Sequence, residues 1–99
     1  MSENIKSFTD QNWETDVSNT EGLVIVDVWA PWCGSWRIVG PIIDELADDY
    51  SGQAVIGKLN ADENSTSQAL GVTGIPSILF MRNGQEVDRV VGAVSSPEN

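Results

Sequence analysis

The chain has 99 residues, a length typical of a single domain with one modest hydrophobic core. It carries 15 acidic and 5 basic residues, and the formal net charge of −10 argues against binding to nucleic-acid phosphates or to anionic membrane surfaces. The sequence has no histidine and a single cysteine, Cys33, which excludes His-based catalysis, an intramolecular disulfide and a cysteine-rich metal site. We therefore expect neither a metal ion nor a cofactor.

The first half of the chain predicts a strand, a short helix and a second strand. Residues 4–8 are typical of a short strand, and Thr9 follows them as a helix N-cap. Phe8 and Trp13 have the spacing of a hydrophobic staple around that cap. The nearly continuous apolar run Leu23–Trp29 predicts a central strand that is covered on both faces.

A longer helix is expected from about Cys33 to Tyr50. Pro41 lies inside it and should kink it, because proline removes one backbone donor. Helical spacing places four residues on its inward face: Ile38, Ile42, Leu46 and Tyr50.

The second half predicts three strands and one short helix. Val55–Leu59 is the apolar centre of a strand over residues 53–60, and Asn64 is expected to cap a short helix that ends at Leu70. Ser77–Met81 and Glu86–Val91 are joined by Asn83-Gly84, a dipeptide that favours a tight hairpin.

The predicted order β-α-β-α-β-α-β-β indicates an α/β protein formed by one domain over residues 1–99. Its helical crossovers predict a mainly parallel sheet that ends in an antiparallel hairpin. The N-terminal residues lack the apolar region of a signal peptide, and the longest apolar run is interrupted by Asp27 and is too short to cross a bilayer. These features predict a cytoplasmic protein.

Several separated motifs resemble the thioredoxin family and follow one another in that family's order. They are Val26–Gly34, Gly40–Ile42, Lys58–Asn64, Gly74–Ser77 and Phe80–Ala93. Together they cover almost the whole chain. The resemblance implies the thioredoxin fold, a central mixed sheet flanked by helices, and a cis peptide bond before Pro76.

Two departures from the family pattern bear on function. The family's redox motif is Trp-Cys-Gly-Pro-Cys, whereas this chain has Trp32-Cys33-Gly34-Ser35-Trp36. The family also ends in a further helix, and residues 95–99 are too short and too interrupted by proline to form it. We therefore expect that helix to be missing or truncated.

Cys33 is the candidate nucleophile. The resemblance places it at the start of a helix, where unpaired N–H groups and the helix dipole favour the thiolate that attacks disulfides. From the residues alone, a buried and inert thiol is the alternative. Trp36 occupies the position of the family's resolving cysteine and has no sulfur, so Cys33 acts as a monothiol that needs an external thiol such as glutathione. The electron-transport cycle of a dithiol reductase is impaired in this chain.

The resemblance places three further residues near Cys33, namely Asp27, Lys58 and Trp36. The resemblance places Asp27 and Lys58 with Cys33 among the catalytic residues. The family counterpart of Asp27 handles the proton of the second cysteine, which is absent here, so we expect Asp27 to pair with Lys58 on the neighbouring strand, with active proton transfer as the alternative. Trp36 either lies over the surface near Cys33 or offers an apolar contact to a partner.

A shallow groove for an extended peptide is also implied by the resemblance. Its residues would be Trp32, Gly34, Ile75, Pro76, Gly92 and Ala93, with scattered exposed apolar side chains as the alternative. Without a terminal helix, hairpin residues such as Val87, Val90, Val91 and Val94 would lack cover, which leaves self-association, truncation and marginal stability open. We expect Arg37, Arg82 and Arg89 to be solvated surface charges.

The leading hypothesis is thiol–disulfide exchange with protein disulfides, as part of cell redox homeostasis, through Cys33 alone. The second is a redox-inactive module that holds an extended partner in the groove. The third is an altered or truncated member of the same family. The sequence does not decide whether the protein is an enzyme.

Overall fold

The computed structural model describes residues 5–31, 43, 45, 48–49, 52–72 and 74–91. Within them lie five strands, which we name β1 (Ile5–Phe8), β2 (Leu23–Trp29), β3 (Ala54–Asn60), β4 (Ser77–Arg82) and β5 (Gln85–Val91). A single π-helical turn, α1 (Glu14–Ser18), and one short helix, α2 (Thr66–Ala69), connect them. None of the helices in these ranges is long and apolar enough to span a membrane.

The strands form one mixed sheet in the order β1-β3-β2-β4-β5, with β2 at its centre as the sequence predicts. β3 runs parallel to both β1 and β2, and β4 runs antiparallel to both β2 and β5. The predicted α/β fold and its terminal hairpin are confirmed. The antiparallel part is larger than expected, because β4 already opposes the central strand.

Alternation along the strands separates two apolar clusters. The larger cluster takes the even-numbered valines of β2 together with Phe8, Val17, Leu59 and Leu79. The smaller cluster contains Ile25, Ile43 and Ile56. Ile43 lies in a helical turn and is fully buried. The positions predicted as that helix's inward face, and Pro41, lie outside the described residues.

The predicted N-cap at Thr9 is wrong, because α1 begins later, after Trp13, and has no side-chain cap. Thr9 instead holds the turn that precedes α1. The Asn12 amide donates to Thr9 Oγ1 at 3.1 Å, and the Thr9 amide donates to Asn12 Oδ1 at 2.8 Å. The rings of Phe8 and Trp13 meet edge to face with centroids 6.0 Å apart, which confirms the hydrophobic staple.

The cap of α2 differs from the prediction, because Asn64 does not supply it. The carboxylate of Asp10 accepts hydrogen bonds from the Ser65 and Thr66 amides, each at 2.9 Å. It also accepts a hydrogen bond from the Thr66 hydroxyl. Together these hydrogen bonds hold the pKa of Asp10 below its usual value, and the one from the Thr66 hydroxyl has the largest effect. The Asn64 side chain instead accepts the Asp10 amide at 2.8 Å. A residue more than fifty positions away therefore satisfies the amides at the start of α2.

The β4–β5 hairpin turns at Asn83 and Gly84, whose φ angles are +52° and +84°. Positive φ at both positions is the geometry that this dipeptide favours, so the predicted turn is confirmed. The expected lack of cover is confirmed for Val87, Val90 and Val91, which are 58%, 42% and 46% exposed. Val94 lies outside the described residues.

Arg89 lies near the surface, but it makes several hydrogen bonds that the sequence does not predict. Its guanidinium donates to the Glu86 carboxylate at 2.5 and 2.7 Å, in a bidentate pair. It also donates to the carbonyl oxygens of Leu70 and Gly71 at 2.7 and 3.1 Å. Arg89 therefore ties β5 to the chain that follows α2.

Candidate functional site

The exit of the central strand and the loop that carries Pro76 lie at the same end of the sheet. β2 and β4 are antiparallel, and Val28 near the end of β2 pairs with Ser77 at the start of β4. Pro76 immediately precedes Ser77, and its peptide bond with Ile75 is cis. The structure thus confirms the cis bond that the resemblance implied and places it beside the β2 exit.

A hydrogen bond from the first residue of β4 holds the loop before that strand in place. The Ser77 hydroxyl donates a hydrogen bond to the Gly74 carbonyl oxygen, and both Ser77 and Pro76 are buried. Ile75 is half-buried. A Cβ atom on Gly74 would lie 2.9 Å from a methyl carbon of Val91, so β5 approaches the loop closely. Sequence reasoning missed Ser77, although a polar residue directly after a proline and before an apolar strand was a usable signal.

The chain that leaves β2 is anchored to the turn after β3. The Trp29 carbonyl oxygen accepts the Ala61 amide at 2.8 Å. Ala30 is fully buried and Pro31 is exposed, so the chain reaches the surface at that point. This anchor fixes the backbone from which the segment bearing Cys33 departs.

Asp27 is a buried carboxyl group in the middle of the central strand. It is 3% exposed, and its Oδ1 atom has no hydrogen-bond partner. Burial raises the pKa of Asp27 from 3.8 to about 6, while the positive charge of Lys58 acts in the opposite direction. The group can therefore hold or release a proton near neutral pH.

Lys58 is the β3 residue directly opposite Asp27 in the parallel register. The sequence predicted that the two would pair, and the register brings them together as neighbours. The charged atoms of Lys58 and Asp27, two of the described residues, form no salt bridge. The salt bridge found among the described residues joins Arg89 to Glu86. Lys58 thus acts on Asp27 through its charge and not through a direct ion pair.

The remaining candidate residues lie outside the described part of the chain. They are the candidate nucleophile Cys33, the substituted position Trp36, and the candidate groove residues Trp32, Gly34, Gly92 and Ala93. Among the residues that the structure does describe, no cluster of three or more His, Cys, Asp or Glu side chains could hold a metal ion.

A mixed five-stranded sheet whose central strand ends beside a cis-proline loop, with a buried carboxyl group behind that end, defines the thioredoxin-fold class. The family model described as Thioredoxin matches residues 4–98. The chain belongs to the thioredoxin family.

Several relatives of this chain are named thioredoxins. Thioredoxin 2 of Chlorobaculum tepidum is 46% identical over 92 residues, which are 92% of this chain and 83% of that protein. The thioredoxin of Pseudomonas aeruginosa is 42% identical over 99 residues, which are 99% of this chain and 92% of that protein. The chloroplastic M-type thioredoxin of Pisum sativum is 45% identical over 91% of this chain and 53% of that protein. These likenesses support a function in thiol–disulfide redox chemistry with protein disulfides as substrates.

Proposed function

We propose that the protein carries out thiol–disulfide exchange through Cys33 alone and depends on an external thiol to complete the reaction. The observation that carries the proposal is the position of this lone cysteine in the sequence, four residues after the end of the central strand. That strand ends beside the cis peptide bond of Pro76, which suits the site to an extended substrate.

The proposed reaction balances in three exchanges. The Cys33 thiolate attacks one sulfur of a substrate disulfide, which forms a mixed disulfide and releases the other substrate sulfur as a thiolate that takes up a proton. An external thiol then attacks the Cys33 sulfur and releases the second substrate thiol. A second external thiol attacks the external sulfur, which frees Cys33 and yields the oxidised external dimer. The substrate gains two electrons, and the two external thiols supply them.

Alkylation and adduct formation test the first half of this reaction. We expect iodoacetamide to modify Cys33 faster than free cysteine at pH 7, because the thiolate is the reactive form. We also expect oxidised glutathione to give an adduct of one glutathione per chain, visible by mass spectrometry and absent from Cys33→Ser. A rate no higher than that of free cysteine contradicts the proposal.

Restoring the second thiol tests the rest of the machinery. Trp36→Cys recreates the family's pair of cysteines, so we expect it to reduce insulin disulfides with dithiothreitol as the electron source. The matched control Trp36→Ser removes the indole without adding a sulfur and should stay inactive. Equal activity in the two variants would show that the missing sulfur is not what limits turnover.

A redox-inactive binding module is the second candidate function. It is favoured by one observation, since the sequence lacks a resolving cysteine while the loop of Ile75 and Pro76 remains in place. In that case Cys33→Ser should bind an extended peptide partner as tightly as the unmodified chain does. A large loss of affinity in Cys33→Ser would argue against the module and for the exchange reaction.

A further inference from the structure

Arg89 on the edge strand β5 makes contacts that reach beyond its own hairpin. Its Nε atom and one terminal nitrogen donate to the Glu86 carboxylate at 2.5 and 2.7 Å. Its two terminal nitrogens also donate to the carbonyl oxygens of Leu70 and Gly71, at 2.7 and 3.1 Å respectively. All three nitrogens of the guanidinium group are engaged, so its planar fork is held in one orientation.

The two carbonyl groups lie where the chain leaves α2 and continues towards Pro76. Leu70 directly follows α2, and Gly71 turns the chain with a φ of +74°. Carbonyl groups at a helix end lack partners within the helix, so they accept hydrogen bonds from elsewhere. Arg89 thus holds the start of the connection between α2 and β4.

β5 contacts the same connection a second time, at Gly74. A Cβ atom on Gly74 would lie 2.9 Å from a methyl carbon of Val91, so the backbone there packs directly on β5. Arg89 and Val91 are two residues apart, and the register pairs them with Leu79 and Ser77 of β4. Both side chains therefore lie on one face of the sheet. The connection packs against that face, with Arg89 near its start and Val91 near its end.

The contacts of Arg89 suit a role in placement more than in overall stability. An ion pair on an exposed strand contributes little to the free energy of unfolding, because solvent screens it and both side chains lose freedom. The hydrogen bonds to Leu70 and Gly71 differ, because they join segments 19 and 18 positions apart and fix where the connection lies. The connection leads to Pro76, beside the exit of β2, where an extended substrate would bind.

We propose that Arg89, oriented by Glu86, is a positioning residue that places the loop before Pro76 for an extended substrate. It acts through the backbone at Gly71 and Gly74 and not on the substrate itself. This inference rests on the exchange reaction proposed above, because that reaction gives the loop its substrate. Exchange is sensitive to such placement, since a small displacement of a bound substrate separates the reacting sulfurs.

Two disulfides with the same leaving group test the proposal. One joins thionitrobenzoate to the central cysteine of a short, uncharged, capped peptide, and the other joins thionitrobenzoate to mercaptoethanol. The Cys33 thiolate bonds to the peptide or mercaptoethanol sulfur, the original S–S bond breaks, and thionitrobenzoate leaves with the electron pair as a coloured thiolate. The ratio of the two rate constants therefore measures the contribution of peptide binding, and we expect the unmodified chain to favour the peptide roughly tenfold.

Matched variants separate the geometry of Arg89 from its charge. In Arg89→Met we expect the ratio to fall about fivefold, while the rate constant for the mercaptoethanol disulfide changes less than about twofold. Arg89→Lys keeps the charge without the planar fork and should lose nearly as much. Arg82→Met removes the same unit of charge from an exposed position of β4 and should leave the ratio unchanged.

Four kinetic results would overturn the proposal. They are equal rate constants for the two disulfides in the unmodified chain, an unchanged ratio in Arg89→Met, the same fall in Arg82→Met, and full retention of the ratio in Arg89→Lys. The first is read on the unmodified chain and holds even if Arg89→Met fails to fold.

An NMR comparison separates this inference from the exchange reaction. In the isotope-labelled Cys33→Ser chain, addition of Arg89→Met should shift the amide signals of Gly74 and Ile75, whereas addition of Arg82→Met should leave them in place. Unchanged signals at Gly74 and Ile75 would overturn the proposal whatever the reactivity of Cys33. An unmodified chain that reacts with neither disulfide would contradict the exchange reaction, and the NMR comparison would then decide the placement of the loop alone.

Discussion

A buried carboxyl group makes the stability of this fold depend on its protonation. Asp27 is 3% exposed and lies in a strand whose other residues are apolar. Its pKa rises from 3.8 to about 6 because burial disfavours the charged form more than Lys58 favours it. At roughly 1.4 kcal/mol per pKa unit, the ionised group costs the folded state about 3 kcal/mol at neutral pH.

The sign of this effect predicts how Asp27→Asn behaves. The folded protein binds more protons than the unfolded chain between about pH 4 and pH 6, so stability falls as pH rises through that window. The isosteric neutral Asn escapes this cost. We expect Asp27→Asn to be about 2–3 kcal/mol more stable than the unmodified chain at pH 8 and nearly equal to it at pH 3.5. Urea unfolding at both pH values measures the difference, and a pH-independent difference would contradict the assignment.

At the scale of elements, α2 depends on a carboxylate that belongs to another part of the chain. Asp10, just after β1, accepts the Ser65 and Thr66 amides and thereby replaces the side-chain cap that α2 itself lacks. The Asp10 amide in turn donates a hydrogen bond to Asn64 Oδ1. The start of α2 and the turn after β1 are therefore held as one unit.

Asp10→Ala should loosen this unit, because the two amides lose their acceptor. We expect the thermal midpoint to fall by about 2–5 °C at pH 7, and Asp10→Asn to lose less because its amide oxygen still accepts one hydrogen bond. Since the pKa of Asp10 is lowered in the folded state, its contribution is present above the unfolded pKa and disappears as pH falls through the folded value. Hydrogen exchange at the Thr66 amide reports the local loss, and unchanged exchange in Asp10→Ala would refute it.

The hairpin turn offers a test with a matched control. Gly84 has φ of +84°, and a Cβ atom there would lie 2.5 Å from the Ser18 carbonyl oxygen. Gly52 has a similar φ of +86°, but a Cβ atom added there would have no atom within 4 Å apart from its chain neighbours. Alanine at Gly52 carries only the backbone penalty of about 1 kcal/mol, whereas alanine at Gly84 adds the clash and should cost about 2 kcal/mol or more. Equal losses in urea unfolding would show that the backbone yields without cost at Ser18.

Local patterns predicted much of this architecture. The apolar run of β2, the Asn83-Gly84 turn and the staple of Phe8 and Trp13 each depend on residues close together in sequence, and each is confirmed. The cap from Asp10 could not be predicted in this way, because its hydrogen bonds join residues about 55 positions apart.

The candidate site was likewise predictable only in part. The resemblance implied the cis bond before Pro76 and the neighbouring positions of Asp27 and Lys58, and the structure has both. It could not give the distance between the two charged groups, since strand register fixes the backbone and not the ends of long side chains.

At the scale of the whole molecule, self-repulsion among acidic residues opposes the compact state. The net charge is −10, and the one salt bridge found in the described ranges joins Arg89 to Glu86. Such an excess of one sign destabilises a folded chain in low salt, where the Debye length is about 30 Å at 0.01 M. The radius of gyration is 12.6 Å, so at low salt most acidic groups lie within reach of one another's charge.

Salt should therefore stabilise this protein. We expect the thermal midpoint to rise by about 3–6 °C between 0.01 and 0.3 M NaCl, since screening reduces repulsion over the whole surface while it weakens an exposed ion pair only slightly. Replacing the exposed Glu21 and Glu45 by Gln lowers the net charge from −10 to −8 and should reduce the rise. A midpoint that falls with salt would show that attractive ion pairs outweigh the repulsion, and an undiminished rise in the double variant would point to an effect of salt on apolar burial instead.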